Sequence, residues 1–376
     1  MVKLKGMTWS HPRGYDPMVA CSAIWQEKTG VEIAWEKRSL QDFESFPVDE
    51  LAAAYDLIVI DHPHVGQITR ENCLLPLDNP EFGSELAEIA AGTVGRSYPS
   101  YNWQGRQWAF PIDAATQVQA YRPDRIGGPV TDLEEIVSLA ASGKAILPMR
   151  PPHSLMTFYT LCAHLGFPCN VEGPELIGIA DGAAVLDWMA RLIGHMDASC
   201  DAMDPIAVLD QMGEVDCRYH VSPFIYGYVS YSVAGFRPVR VAFADIPVIA
   251  GGAPDGSALG GTGIAVSAKT RAPDEAKAFA RWIASGPVQA GPYAGSNGQP
   301  GHSDAWTSRD VNARTLDFYR STRATLEGAF VRPRHDGYMA FQQRASELIT
   351  SGLREGTRHT TLVDRLNQLF AASLQA

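Results

Sequence analysis

The sequence predicts a mixed α/β protein of two domains, with mostly parallel sheet and helices on both sides of it. Three observations carry this. At 376 residues the chain exceeds the roughly 100–200 residues of one typical domain. Strand-like and helix-like segments alternate from the first residues onward, the order of an α/β fold. The apolar run Leu57 to Ile60 fits a strand buried on both faces rather than one with a wet side.

The elements follow in order. LKGMTWS reads as a strand, DPMVACSAIWQEKTG as an amphipathic helix stopped by Gly30, and VEIAWEKRS as a second strand. DELAAAY is a short helix, followed by the buried strand of YDLIVIDHPHVG. In YNWQGRQWAFPIDAATQVQAYRPDRI, Gln104 and Gly105 make a turn, and a strand then runs to a break at Pro111 and Asp113 before another strand. TDLEEIVSLAASG, SLMTFYTLCAHLG and DGAAVLDWMARLIGHM carry helical spacing, with AILPM as a strand between them. YHVSPFIYGYVSYS and VRVAFADIPVI read as strands, ALGGTGIAVSAKT as a Gly-rich strand, and APDEAKAFARWIASG as a helix. YMAFQQRASELITSGL and LVDRLNQLFAASL close the chain as helices with an apolar stripe.

Composition narrows the function. Hydrophobic residues at 45% and charged residues at 19% leave no long disordered block. A net charge of −11 argues against a nucleic-acid surface, which needs a concentrated basic face. No run approaches the roughly 18 apolar residues of a membrane span, and MVKLKGMTWS has no signal-peptide core. The six cysteines form neither a CxxC pair nor a zinc spacing. Buried free thiols are one reading; in an oxidising compartment Cys162 with Cys169, or Cys200 with Cys217, are candidate pairs.

Six constellations can carry chemistry. Trp9, Ser10, His11, Arg13 and Tyr15 leave the first strand and enter a helix, offering an aromatic face and fixed donors, or else a helix cap with a solvated arginine. Asp61, His62 and His64 end a buried strand, where open α/β sheets bind ligands; the His-Pro-His spacing is not that of zinc, and no metal is expected. Asp113 and Gln117 lie in the crossover, as hydroxyl acceptors or as turn formers. Arg150 and His153 follow AILPM, where an arginine can clamp an acid or stay a surface charge. Tyr226, Tyr228 and Tyr231 offer aromatic walls or ordinary strand packing. Gly261 and Thr262, in ALGGTGIAV, and the related GSNGQPGH let backbone amides approach a ligand; neither is a phosphate loop. No GxSxG, HExxH or kinase set occurs, so no catalytic residue and no cofactor is expected.

TWSHPRG, YDLIVIDHPHVGQI with LLPLD, GRQWAFPIDAATQVQAYRPD, LGGTGIAVSAKTRAPDEAKAFARWIASGPVQ and SNGQPGH, in that order, resemble the extracellular solute-binding proteins of ABC importers, family 1, over nearly the whole chain. The resemblance implies a two-lobed periplasmic-binding-protein fold of type II, with a hinge and C-terminal helices packed on the lobes. It implies a first lobe of residues 1–112 and about 259–304, a second of 113–258, and a helical segment of 305–376. It further implies a monomer that captures a sugar, polyol or related small acid in a cleft by hinge closure and delivers it to membrane permease subunits. A periplasmic location follows, with the signal peptide removed. A ferric-ion carrier of the same fold, with tyrosine ligands, and a hydrolase of small glycosides remain as alternatives.

Overall fold

The computed structural model describes residues 2–39, 48–249 and 251–375, and the chain divides into two compact units. The first comprises Met1–Ala115, Gly260–Ala313 and Arg334–Asp336, and the second Thr116–Leu259, Arg314–Pro333 and Gly337–Ala376. The stretch 305–376 is thus shared between the units rather than standing as a segment of its own.

The chain opens with β1 (Lys3–Trp9), α1 (Pro12–Thr29), β2 (Glu32–Arg38), α2 (Val48–Ala54), β3 (Leu57–Ile60), α3 (Val65–Glu71), β4 (Leu74–Leu75) and α4 (Gly83–Gly92). A hairpin of β5 (Asn102–Trp103) and β6 (Arg106–Gln107) precedes the long β7 (Phe110–Tyr121). Then come α5 (Leu133–Ala141), α6 (His153–His164), α7 (Ile179–Ile193), α8 (Pro205–Met212), β8 (Val221–Tyr226) and β9 (Ala242–Ala244). β10 (Leu259–Ser267) and α9 (Pro273–Ala284) follow, and α10 (Tyr338–Arg354) and α11 (His359–Ser373) end the chain, with shorter helical turns between.

In the first unit the strand order is β2-β1-β3-β10, with β4 beside β10. β1 pairs in parallel with β2 and β3, while β10 runs antiparallel to β3. Alternate side chains leave opposite faces of a strand, so Leu57, Val59, Ile264 and Val266 enter one core and Ile58, Ile60 and Ala265 the other. Both faces are apolar, which is why the LIVI run is unbroken. In the second unit β7 pairs antiparallel with both β8 and β9, so among the described strands the expected parallel pattern holds for β1, β2 and β3. Here α7 packs on α6 and α11, and α10 on α6 and α11.

Several elements differ from the sequence reading. α1 starts at Pro12, four residues before Asp16. Pro17 imitates a first-turn proline, but the helix is already running, capped by His11 Nδ1, which accepts from the Arg13 amide at 3.1 Å. Pro111 does not divide β7: the Ile112 carbonyl and the Ala114 amide make the bonds to Gly301 and Gln299, so the missing proline N–H takes no part. AILPM forms a single bridge, Ala145 to Val221, rather than a strand, because Pro148 cannot donate and the amides of Met149 and Arg150 are taken by the Met203 carbonyl. Beyond Tyr226 the predicted strand gives way to a 3₁₀ turn, Val229–Ser232. Gly227 packs so closely on Phe318 that an added Cβ would stand 2.9 Å from the ring.

Residues 334–336 reach the first unit at α3. An added Cβ on Gly66 would lie 2.0 Å from the Arg334 carbonyl oxygen, and Arg70 pairs with Asp336 at 2.5 Å. Gly66→Ala should therefore lower the unfolding free energy by about 1–3 kcal/mol, outweighing the roughly 1 kcal/mol of helix propensity gained. Urea unfolding measures it, and a stabilised variant would contradict this packing.

Candidate functional site

The carboxyl ends of β1 and β3 and the start of α1 bring the predicted residues of the first unit together. Trp9 is the last residue of β1 and only 3% exposed. Its indole lies on the first turn of α1, 2.3 Å from where a Gly14 Cβ would stand, so the ring belongs to the core as well as to the strand end. Ser10 is exposed, and its amide donates to the Arg38 carbonyl at 2.6 Å. Tyr15 is half-buried beneath the Lys37 ammonium, 4.4 Å from its centroid.

Arg13 and Asp113, a hundred residues apart, meet in a buried bidentate pair: Nε donates to Oδ2 at 2.7 Å and Nη2 to Oδ1. They are 4% and 1% exposed. Burial raises the Asp113 carboxyl, Arg13 pulls it back down, and the Asp61 charge pushes it up again. Asp61 caps the turn His62–His64 by accepting from the His62 amide at 2.8 Å. His62 and His64 are both buried, and His62 stands edge-on to Tyr101, whose hydroxyl donates to the Ile60 carbonyl at 3.1 Å. Gly261 has a φ of 90°, and its close backbone neighbour is Asp113, whose carbonyl oxygen lies 2.4 Å from an added Cβ. Thr262 is buried, with a hydroxyl that has no partner among the described residues.

In the second unit Gln117 is wholly buried and used internally: its amide donates to Thr157 at 3.2 Å and accepts from Thr160 at 2.7 Å. Arg150 pairs with Asp204 at 3.2 Å. His153, at the first position of α6, is 2% exposed, and neither ring nitrogen has a hydrogen-bond partner among the described residues. Burial first, then the charges of Arg150 and Arg332, push its pKa down to about 3, so the ring is neutral at physiological pH. Tyr226 stands edge-on to it at 6.1 Å. Tyr228 is buried against Tyr231, whose hydroxyl donates to Asp210 at 2.6 Å.

Sequence reasoning did not find Arg332, which is buried, donates to the Leu259 carbonyl at 3.0 Å and helps keep His153 neutral. No local pattern around RPRHDG marks it. A separate groove of about 770 Å³ in the first unit, lined by Trp25, Glu88, Arg281, Trp282 and His302 among others, includes the last residue of GSNGQPGH and none of the other predicted residues. Among the described residues no group of three or more His, Cys, Asp or Glu side chains could hold a metal ion, and no helix is long and apolar enough to cross a membrane.

Solved structures of similar fold give this geometry a context. An ABC-transporter solute-binding protein from Agrobacterium radiobacter K84, in complex with ribitol, matches at a TM-score of 0.80 and 20% identity, covering 99% of this chain and 98% of its own. The maltose-bound MalE3 of T. maritima matches at 0.82 and 14% identity, over 98% of each chain. A solute-binding protein from Thermotoga lettingae TMO bound with α-D-tagatose matches at 0.82 and 13% identity, over 100% of each. At such identities the likeness establishes the fold, the mixed α/β fold of the periplasmic binding proteins. No curated protein matches the sequence. The family model described as bacterial extracellular solute-binding protein matches residues 22–314, most of the chain, and the protein belongs to that family.

Proposed function

We propose that this chain is the solute-binding component of an ABC importer and that its solute is a neutral polyhydroxylated molecule, a sugar or polyol. Family membership supports the binding role, and the similar structures named above hold ribitol, maltose and tagatose. The observation that carries the choice of ligand is His153. A neutral imidazole offers one donor and one acceptor, and a hydroxyl answers both, whereas a carboxylate only accepts. The two arginines that an acidic solute would use are engaged by carboxylates, Arg13 by Asp113 and Arg150 by Asp204. Tyr226 beside His153, and in the first unit Trp9, Tyr15, Asp61 and Thr262, are further proposed contacts, each unit by itself offering ring faces for sugar carbons and polar atoms for hydroxyls. The protein acts in the periplasm as a monomer, hands its solute to the permease, and returns it chemically unchanged.

Thermal unfolding against a panel of polyols, hexoses, maltodextrins and small organic acids tests this. A cognate sugar or polyol at a hundred times its dissociation constant should add about 2.7 kcal/mol of stability, with an affinity that hardly changes with salt. Stabilisation by acids alone, weakening as salt rises, would overturn the neutral-ligand reading.

A further inference from the structure

We propose that the first turn of α6 binds one hydroxyl oxygen of the solute, which accepts from the Ser154 and Leu155 amides and donates its own proton to His153. The assignment rests on the solute-binding role proposed for the chain and names the atoms that role leaves open. A helix leaves its first amides without partners inside the helix. In α6 the His153 amide donates to the Arg150 carbonyl at 2.8 Å and the Met156 amide to the Pro152 carbonyl at 3.2 Å. The Ser154 and Leu155 amides between them have no partner among the described residues. Both residues are buried, at 1% and 0% exposure, and a buried amide without an acceptor is costly and rare.

The side chains that precede α6 supply no acceptor. Pro151 and Pro152 carry no polar side-chain atom, and the Arg150 guanidinium only donates. The Ser154 hydroxyl is committed to α10, bonding to the Ser346 carbonyl at 3.0 Å and the Ser346 hydroxyl at 2.6 Å and accepting from Thr350 at 2.9 Å. These bonds hold the turn in place. His153, the first residue of α6, points to a ligand independently: it is 2% exposed, and neither ring nitrogen has a hydrogen-bond partner among the described residues. The first N–H groups of a helix and its Cα–Cβ bonds both lean toward the N-terminal end, so the ring and the two amides face the same end.

Two donors and one acceptor nitrogen match a hydroxyl, whose oxygen takes both amides on its lone pairs and whose proton goes to the imidazole lone pair. The ring's own N–H is left for another hydroxyl of the same solute, which favours a polyol or sugar over a simple alcohol. An oxyanion would suit the amides and the helix end, but it has no proton for the imidazole lone pair. Burial and the charges of Arg150 and Arg332 keep that ring neutral, and Asp204 at 3.2 Å already balances Arg150.

The test gives the isotope-labelled full chain glycerol, ribitol or sodium acetate, and follows each probe in amide spectra and in soaked crystals. Glycerol and ribitol should move the Ser154 and Leu155 amide protons downfield and place a hydroxyl oxygen within about 3.2 Å of both amides and of one His153 ring nitrogen. Acetate should do neither. His153→Phe, which offers the proton no acceptor, should lose the bound oxygen, and His153→Gln should keep it. Acetate bound in preference to the polyols, a water that both polyols leave undisturbed, or amide signals that no probe moves would each overturn the proposal. Glycerol seated here while no sugar or polyol raises the melting temperature would refute the solute class and leave the hydroxyl site standing. A sugar that stabilises the chain without moving these two amides would do the reverse.

Discussion

Asp113→Ala should lower the unfolding free energy by about 3–5 kcal/mol, the usual cost of leaving one member of a buried ion pair alone. The Arg13 guanidinium would stay buried without its fork of two carboxylate bonds, and an arginine cannot escape by losing its proton. The stability of the variant should therefore carry no pH dependence from this pair. Arg13→Ala behaves differently, because the orphan is then a carboxyl already raised by burial and by Asp61. Such a group holds a proton in the folded state at a pH where the unfolded chain has released it, so the variant loses stability as pH rises and regains it on acidification. Replacing both residues, Arg13→Met with Asp113→Leu, should recover most of the loss. Urea unfolding of the three variants at two pH values decides the matter. A loss below about 1 kcal/mol for Asp113→Ala would mean that the pair is solvated rather than structural.

Acidification should destabilise the second unit through His153. The folded ring titrates at about 3 against an ordinary 6.5, so between those values the unfolded chain takes up a proton that the folded chain refuses. Stability is full above pH 6.5 and falls as pH drops, levelling off near 3. At 1.36 kcal/mol per unit, the loss between neutrality and pH 4 is roughly 3 kcal/mol. Burial contributes most, and Arg150 and Arg332 both repel the incoming charge. His164, His302 and His335 are shifted in the same direction by burial, so the diagnostic quantity is the difference between the wild type and His153→Phe. The phenyl ring keeps the edge-on packing against Tyr226 but cannot titrate. Unfolding curves at several pH values should show the variant with the shallower slope, by about one proton. Equal slopes would remove His153 as the acid-sensitive group.

What could be read in advance was whatever has a local signature. Gly30 stops α1 with a left-handed φ of 77°, and Gln104 with Gly105 turns the β5–β6 hairpin at φ of 52° and 75°; glycine and short amides tolerate that backbone region best. Pro273 opens α9 and the LIVI run marks β3. What escaped depends on partners far along the chain. That Arg13 would be bound by Asp113, Gln117 by Thr157 and Thr160, and Gly66 by Arg334 is visible only once the strands are placed. The same holds for the split of 305–376 between units. Residue type and position at a strand end are local features, and type alone does not distinguish an arginine held by its own carboxylate from one open to a solute.

The excursion of residues 334–336 into the first unit bears on the order in which the protein is made. A ribosome delivers β3 long before its partner β10, whose first residue is Leu259. Until then the nascent first unit has an uncovered strand edge, a template for wrong pairing. Its contacts with Arg334 and Asp336 come later still. A unit assembled from such distant pieces closes slowly, since long loops must be ordered before their contacts repay the cost. A chain that stays open while it is being synthesised remains threadable, which is the condition a translocation channel imposes on its cargo.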